Sequence, residues 1–339
     1  MTLAAIFGCA GTEIAADERA FYRETDPLGF ILFARNVADP DQMRRLTDAL
    51  RESVGRDDAP ILIDQEGGRV ARLKPPHWRA MPPAARFGEI AAIDRARAAT
   101  AVRINHELLA GELRAIGINV DCTPCLDLKR PETTHAIGDR AFAADPVLVA
   151  DLGRAAAEGL MAGGVTPVIK HMPGHGRATV DSHLDLPRIT ADFDELADSD
   201  FVPFRMLHDL PWGITAHLVY MAIDPDRPAT LSPNVIAEVI RGEIGFSGLL
   251  VSDDMSMKAL SGPTGQGSLD RLAADLIAAG CDIALHCNGR LDEMRLVAAG
   301  SGDLSPAARL RYERGRQRIN RDPEFDAQEL AEELAELMA

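Results

Sequence analysis

The chain of 339 residues is too long for one small domain but suits a single α/β barrel with some insertions. Hydrophobic residues make up 46% of it and charged residues 26%, an ordinary composition for a globular protein. The net charge of −16 argues against nucleic acid or an anionic membrane as a partner.

Short apolar runs alternate with helical segments through the first half of the chain. Four of these runs predict strands: residues 4–9, 29–33, 60–63 and 118–126. Asp39 and Pro40 predict an N-cap and a first-turn proline for the helix after the second strand. The proline-rich stretch from Pro75 to Pro83 predicts a long loop. Residues 91–116 then predict one long amphipathic helix that ends at Gly117.

The same alternation continues through the second half. Four further runs predict strands: residues 164–169, 212–217, 248–254 and 281–288. Helices are predicted near 192–209 and 268–279, and three Asp-Pro or Ser-Pro pairs predict helix starts: Asp145–Pro146, Ser232–Pro233 and Ser305–Pro306. We therefore expect one (β/α)8 TIM-barrel domain over residues 1–339, with residues 322–339 as an acidic C-terminal helix or tail. A doubly wound open sheet is the alternative, but no GxGxxG follows an early strand.

The lack of a recognisable targeting signal and the pattern of cysteines indicate a cytoplasmic protein. Residues 1–11 are apolar but lack a basic start, and no stretch reaches the length of a membrane span. The five cysteines are too few and too irregular for a disulfide framework. Cys122 and Cys125 form a CxxC without a second pair to complete a zinc site. Buried reduced thiols in a strand are the better interpretation.

In such a barrel, the polar residues at the carboxyl ends of the strands all face one mouth. That rule gathers ten candidates around one pocket: Asp64, Arg72, Arg140, Lys170, His171, Asp181, His183, His217, Asp253 and His286. Simpler structural roles remain open for several of them. His217 and His286 could be core or rim histidines, and Arg140 could pair with Asp139.

Simpler structural roles also remain open for the acidic pair at 253–254 and for Glu66. Asp253–Asp254 could be an N-cap pair, and Glu66 could pair with Arg69 on the surface. Taken together at consecutive strand ends, the candidates favour a polar site for a hydroxyl-rich ligand.

Four motifs in the right order carry a family resemblance. They are DQEGGRVAR at 64–72, GDRAF at 138–142, KHMPGHG at 170–176 followed by DSH at 181–183, and SDDMSM at 252–257. Together they resemble the bacterial β-N-acetylhexosaminidases of glycoside hydrolase family 3. Met172 is a departure, because the family usually has phenylalanine there. The change is apolar to apolar and leaves the resemblance standing.

The resemblance implies retaining hydrolysis of a terminal β-linked N-acetylglucosamine. Asp253 would be the nucleophile, and His183, oriented by Asp181, would be the general acid/base, a role that histidine can serve at neutral pH. The sugar would be bound by Asp64, Arg72, Arg140, Lys170 and His171, whereas His175 would shape the loop. No metal and no cofactor are expected. The implied substrate is N-acetylglucosaminyl-1,6-anhydro-N-acetylmuramic acid from peptidoglycan recycling, bound by a monomer.

Two other functions stay open from the sequence. The same site could serve a phosphorylase, because a histidine acid/base, unlike a carboxylate, would not repel phosphate. From another class, a metal-dependent barrel hydrolase or lyase could use His171, His175 and His183 as ligands. The lysine directly before the first of these ligands is unfavourable for a cation.

Overall fold

A closed barrel of parallel strands organises the molecule. The computed structural model describes residues 1–131, 133–180, 186–260 and 268–339. Within these ranges the strands are β1 (Leu3–Gly8), β2 (Pro27–Leu32), β3 (Ile61–Ile63), β4 (Val120–Asp121), β5 (Thr166–Met172), β6 (Arg188–Ile189), β7 (Trp212–Thr215), β8 (Val219–Tyr220), β9 (Leu249–Val251) and β10 (Ala284–His286). Eight of them pair side by side in the order β10-β1-β2-β3-β4-β5-β7-β9. A parallel bridge between Val251 and Ile283 closes the ring, and β6 pairs with β8 separately.

Helices surround this barrel. In the described ranges they are α1 (Ala16–Thr25), α2 (Pro40–Val54), α3 (Ala84–Ala91), α4 (Arg95–Arg114), α5 (Pro146–Ala162), α6 (Phe193–Ala197), α7 (Val202–Met206), α8 (Leu269–Ala279), α9 (Leu291–Ser301), α10 (Pro306–Arg316) and α11 (Ala327–Met338). A π-helix spans Val235–Glu243. The predicted TIM barrel is confirmed.

The predicted caps start their helices as expected. Asp39 accepts a hydrogen bond from the backbone N–H of Gln42 at 2.8 Å, and Pro40 occupies the first turn of α2. Asp145 and Ser305 cap α5 and α10 in the same way. These side chains accept hydrogen bonds from N–H groups that have no partner within the helix, so they determine where α2, α5 and α10 begin.

Two apolar layers follow from the alternation of side chains along the strands. In β1, Ala4 and Ile6 belong to the cluster inside the barrel, whereas Ala5 and Phe7 belong to the layer between strands and helices. The inner cluster also contains Tyr312 of α10. Helix α10 therefore covers the end of the barrel where the strands begin.

Three predictions about individual elements were wrong or incomplete. The helix expected at 91–116 is α4, which begins at Arg95 because Asp94 caps it by accepting from the N–H of Arg97. Helix α3 follows the predicted loop directly, in a segment for which no element was predicted. The helix expected at 192–209 is divided into α6 and α7.

Three further features concern the C-terminal helix, the cysteines and the apolar character of the helices. Helix α11 packs along α4, where the Arg97 guanidinium donates to the carbonyl of Leu337 at 2.8 Å. All five cysteines are buried free thiols, as predicted for Cys122 and Cys125, although β4 ends just before these two. Among the described residues, no helix combines the length and the apolar character needed to cross a membrane.

Candidate active site

A cavity of about 370 Å³ opens at the carboxyl ends of the strands. Six of the ten sequence-predicted candidates line it: Asp64, Arg72, Arg140, Lys170, His171 and Asp253. Its volume lies in the range of small-molecule sites. The strand-end rule therefore located the pocket and most of its polar wall.

Opposite charges alternate along one wall of this cavity. The ammonium of Lys170 lies 2.8 Å from Asp64 and 2.6 Å from Glu66. Arg140 donates two hydrogen bonds of 2.8 Å to the carboxylate of Glu66, and Arg72 lies 3.2 Å from Asp64. We call these five residues the charge ladder. Since each charge already faces an opposite one, the donors and acceptors are held in place before a ligand arrives.

The pKa shifts follow from this arrangement. Burial works against ionisation of Asp64, but the Lys170 ammonium and the Arg72 guanidinium outweigh it and lower the pKa of Asp64 to about 2. Burial is similarly outweighed at Glu66, where Arg140 and Lys170 lower the pKa to about 2. Burial would lower the pKa of Lys170, yet the two carboxylates raise it above its usual range. The ladder therefore stays fully charged at neutral pH.

Glu66 was missing from the predicted site, and its partner is Arg140 and not Arg69, the surface partner that the sequence left open. The sequence left open a Glu66–Arg69 pair and an Arg140–Asp139 pair. In the structure the partners are exchanged: Glu66 pairs with Arg140, and Arg69 donates to Asp139 at 2.8 Å. Glu66 is 8% exposed and lines the cavity, so it belongs to the site rather than to the surface.

Asp253 and its neighbour Asp254 have different environments. The Asp254 carboxylate accepts from the N–H of Ser256 at 3.0 Å, from the hydroxyl of Ser256 at 2.6 Å and from the N–H of Cys287 at 3.1 Å. Asp253 accepts from the N–H of Asp254 at 2.8 Å. Both line the cavity, but Asp254 is committed to holding the loop after β9 in shape.

Asp127, which the sequence analysis passed over, organises the segment after β5. It is fully buried, and its carboxylate accepts from the Nδ1 of His171 at 2.7 Å and from the backbone N–H of His175 at 2.6 Å. His175 lines the cavity beside His171, with ring centroids 5.5 Å apart, so its position goes beyond the purely loop-shaping role expected. Burial lowers the pKa of His175 to about 4.

Asp121 lies behind the ladder, at the end of β4. It is fully buried; Oδ1 accepts from the N–H of Gln65 at 2.9 Å, and Oδ2 has no hydrogen-bond partner among the residues described. Burial raises the pKa of Asp121 from 3.8 to about 8, against the lowering effects of the Gln65 N–H and the Lys170 ammonium. Asp121 is therefore largely protonated at neutral pH.

Two further candidates, His217 and His286, do not line the described cavity. His217 is buried, hydrogen-bonded through Nδ1 to the hydroxyl of Thr230 and through Nε2 to the carbonyl of Asp254. His286 is buried and lies 3.0 Å from Glu293. For these two histidines the simpler structural role is the right one. The predicted acid/base pair, Asp181 and His183, lies outside the described residues.

One group in the described ranges brings possible metal ligands together. Cys125, Asp127 and His171 have sulfur, oxygen and nitrogen atoms within 4.8 Å of one another. Burial raises the pKa of the Cys125 thiol well above its usual value, and that thiol lies 3.2 Å from Asp127 as a hydrogen-bond donor. Because metal binding needs a thiolate, the donor chemistry fits a protonated hydrogen-bond network better than a metal centre.

Comparison with known proteins decides the family. The model of the glycosyl hydrolase family 3 N-terminal domain matches residues 10–311, which is most of the chain. The chain belongs to glycoside hydrolase family 3. The family 3 match includes all four motifs on which the resemblance was based, and each polar residue of the charge ladder.

Relatives within family 3 narrow the group. A β-hexosaminidase of Alkalilimnicola ehrlichii is 41% identical over 84% of this chain and 80% of its own length. One from Pseudomonas aeruginosa is 37% identical over 92% and 91%. The structure of NagZ from Neisseria gonorrhoeae in complex with N-trifluoroacetyl-D-glucosamine has a TM-score of 0.88, at 30% identity over 99% and 97% of the two chains.

These findings confirm the predicted enzyme class. The chain is a family 3 glycoside hydrolase of the bacterial β-hexosaminidase group, with one barrel covering nearly its whole length. They support the glycosidase interpretation over the metal-dependent hydrolase or lyase with His171, His175 and His183 as ligands.

Proposed function

We propose that this family 3 enzyme is a retaining exo-β-N-acetylglucosaminidase. The observation that carries the proposal is the difference between Asp253 and Asp254 at the cavity. Asp254 accepts hydrogen bonds from Ser256 and Cys287 that hold the loop after β9, whereas Asp253 lines the same cavity as the charge ladder. A nucleophile needs such a carboxylate at a strand end, next to fixed charges that hold the sugar.

The reaction takes two steps in this proposal. Asp253 attacks the anomeric carbon while the glycosidic C–O bond breaks, and His183 gives a proton to the leaving oxygen. Water then attacks the glycosyl-enzyme, His183 takes the proton from that water, and the sugar leaves with its original β configuration. Asp181 would keep the imidazole of His183 in the productive tautomer.

The charge ladder supports binding of a hydroxylated sugar. Asp64 and Glu66 accept hydrogen bonds, whereas Arg72, Arg140 and Lys170 donate them, so hydroxyl groups can be met from both sides. A site of buried polar groups rejects analogues that lack the matching hydroxyls, because its own groups would then be unpaired.

The sugar and the natural substrate are inferred from similarity. NagZ from Neisseria gonorrhoeae was crystallised with N-trifluoroacetyl-D-glucosamine, and the two folds superpose over nearly their full lengths. We extend this to a terminal N-acetylglucosamine here. The proposed substrate is N-acetylglucosaminyl-1,6-anhydro-N-acetylmuramic acid, with or without peptide, bound by the monomer.

Trapping the intermediate tests this proposal. The enzyme is incubated with a 5-fluoro N-acetylglucosaminyl fluoride, digested, and examined by mass spectrometry. We expect one sugar adduct on Asp253, because fluorine slows the second step more than the first. An adduct on Asp254, or fast turnover in Asp253→Ala, would overturn the assignment of the nucleophile.

A phosphorylase using the same site is tested separately. The enzyme is given 4-nitrophenyl N-acetyl-β-glucosaminide with and without inorganic phosphate, and the products are followed by ³¹P NMR. We expect free N-acetylglucosamine under both conditions. A sugar 1-phosphate as the main product would replace the hydrolase by the phosphorylase.

A further inference from the structure

Four hydrogen-bond donors converge on the buried carboxylate of Asp127. Oδ2 accepts from the Nδ1 of His171 at 2.7 Å and from the thiol of Cys125 at 3.2 Å. Oδ1 accepts from the backbone N–H of His175 at 2.6 Å and of His171 at 3.3 Å. The side chain therefore contacts both histidines that border the cavity and the strand end before them.

Asp127 is ionised in this environment. Burial alone would favour the neutral acid, but the hydrogen bonds donated by the His171 ring and the backbone N–H of His175 lower the pKa of Asp127 below its usual range. An ionised carboxylate can only accept hydrogen bonds. The proton between His171 and Asp127 therefore resides on the Nδ1 of His171.

The other ring nitrogen of His171 is the one left for a ligand. His171 lines the cavity, and its Nε2 has no hydrogen-bond partner among the residues described. When the ring is neutral with its proton on Nδ1, Nε2 offers a lone pair and accepts hydrogen bonds.

The acceptor at Nε2 of His171 is important because two neighbouring residues in the cavity wall are cations. Lys170 and Arg140 on the same wall can only donate hydrogen bonds. A ligand hydroxyl that accepts from such a cation still needs an acceptor for its own proton.

We propose that Asp127 is a positioning residue that fixes the tautomer of His171 so that Nε2 accepts a hydrogen bond from a sugar hydroxyl. Cys125 supports it by donating to the same carboxylate oxygen, Oδ2, which holds that oxygen in place. The inference rests on the proposed function only in taking the ligand to be a hydroxylated sugar. It makes His171 a specificity-determining contact for a hydroxyl group, as distinct from a cation for an anionic group.

The tautomer is measured directly by NMR. Imidazole ¹⁵N resonances of the ligand-free enzyme are recorded at pH 8 with a chelator present, and His171→Gln identifies the resonances of His171. We expect a protonated Nδ1 and an unprotonated Nε2. Protonation of both nitrogens, or of Nε2 alone, would overturn the proposal. This readout does not depend on the reaction that the enzyme catalyses.

Asp127→Asn is the matched variant, because it keeps the shape and loses the charge. Its amide group turns a donor toward Nδ1, so the proton should move to Nε2 and the ¹⁵N pattern should reverse. We expect kcat/KM to fall roughly 10- to 100-fold, the usual effect of losing a hydrogen bond involving a charged group. If the variant does not fold, the measurement on the native enzyme still decides the proposal.

Deoxy substrates separate positioning from general damage. The ratio of native to Asp127→Asn activity is measured on 4-nitrophenyl N-acetyl-β-glucosaminide and on its 3-, 4- and 6-deoxy analogues. We expect the ratio to drop toward one for a single analogue, the one that lacks the hydroxyl bound by His171. An equal ratio on all four would mean a merely structural role. If the native enzyme hydrolysed none of them, the proposed function would fail while the tautomer could still be verified.

Discussion

Glu66 receives two parallel hydrogen bonds from Arg140, each 2.8 Å long, inside the cavity. The same carboxylate lies 2.6 Å from the ammonium of Lys170, so removing its charge leaves two buried cations undercompensated. We predict that Glu66→Gln lowers kcat/KM on 4-nitrophenyl N-acetyl-β-glucosaminide by roughly 10- to 100-fold, because a charged hydrogen bond of this kind contributes about 1.5–3 kcal/mol.

Glu89→Gln is the matched control for that prediction. Glu89 forms an exposed pair with Arg86 on α3, and its side chain is 66% exposed. Exposed pairs contribute little, so the control should keep native kcat/KM and native stability. Equal activities of the two variants would remove Glu66 from the site.

Substitution of Asp253 should affect catalysis, whereas substitution of Asp254 should affect stability. Asp254→Ala removes the acceptor of three hydrogen bonds and leaves the N–H groups of Ser256 and Cys287 unpaired. We predict that it lowers the free energy of unfolding by about 2–4 kcal/mol in urea titrations. Asp253→Asn should leave unfolding within about 1 kcal/mol of native and abolish turnover, since an amide is a poor nucleophile. The reverse pattern would exchange the roles of the two residues.

The sequence predicted where the site lies better than it predicted which side chains pair within it. Asp64, Lys170 and Asp253 were found because parallel strands deliver their carboxyl ends to one mouth. The ion-pair and hydrogen-bond partners could not be predicted in this way, because they depend on which side chains come into contact across neighbouring strands. Glu66 and Asp127 were missed for that reason, although Asp127 follows the fourth predicted strand and the strand-end rule would have included it.

The fold was predictable where local chemistry decides it. Caps such as Asp39 and Asp145 marked helix starts independently of the rest of the chain. The cap at Asp94 was not recognised, so the predicted helix began at residue 91 and not at Arg95. Gly176 shows a third case: a Cβ there would lie 2.3 Å from the carbonyl oxygen of Leu128, a close approach that only the folded backbone reveals.

Asp121 should make stability depend on pH. Its pKa is raised from 3.8 to about 8 by burial, so the folded state binds a proton more tightly than the unfolded state between these values. The favourable contribution is complete below pH 3.8 and is lost as pH rises through about 8. We predict that Asp121→Asn is more stable than the native enzyme at pH 8, by about 1 kcal/mol or more.

The advantage of Asp121→Asn should shrink steadily as the pH is lowered to 5, because the pH then approaches 3.8, where Asp121 of the unfolded chain also binds a proton. Chemical unfolding at four pH values measures it. Asp209→Asn is a useful comparison, since the pKa of Asp209 is lowered to about 2 by Arg154 and Arg318 against a partial burial penalty. That variant should lose stability at neutral pH. A pH-independent difference between native and Asp121→Asn enzyme would contradict the raised pKa.

Asp200 anchors the segment that leads to the proposed acid/base pair. It is 1% exposed and accepts from Arg177 at 2.7 Å and from Arg130 at 2.9 Å, and Arg177 also lies 2.6 Å from Glu195 of α6. Arg177 stands four residues before Asp181 in the chain. Loss of this anchor should therefore act on catalysis through the position of His183.

Arg177→Gln should reduce activity according to how much the leaving group needs a proton. With a disaccharide, whose leaving alkoxide must be protonated, we predict that kcat/KM falls about 10-fold or more, since general acid catalysis contributes roughly 10²–10⁴-fold. With 2,4-dinitrophenolate, which leaves unaided, the fall should stay within about 3-fold, or less than 1 kcal/mol. Arg44→Gln, which removes an exposed pair with Asp41 on α2, should change neither value. Equal losses on both substrates would show that Arg177 supports the fold and does not position the acid.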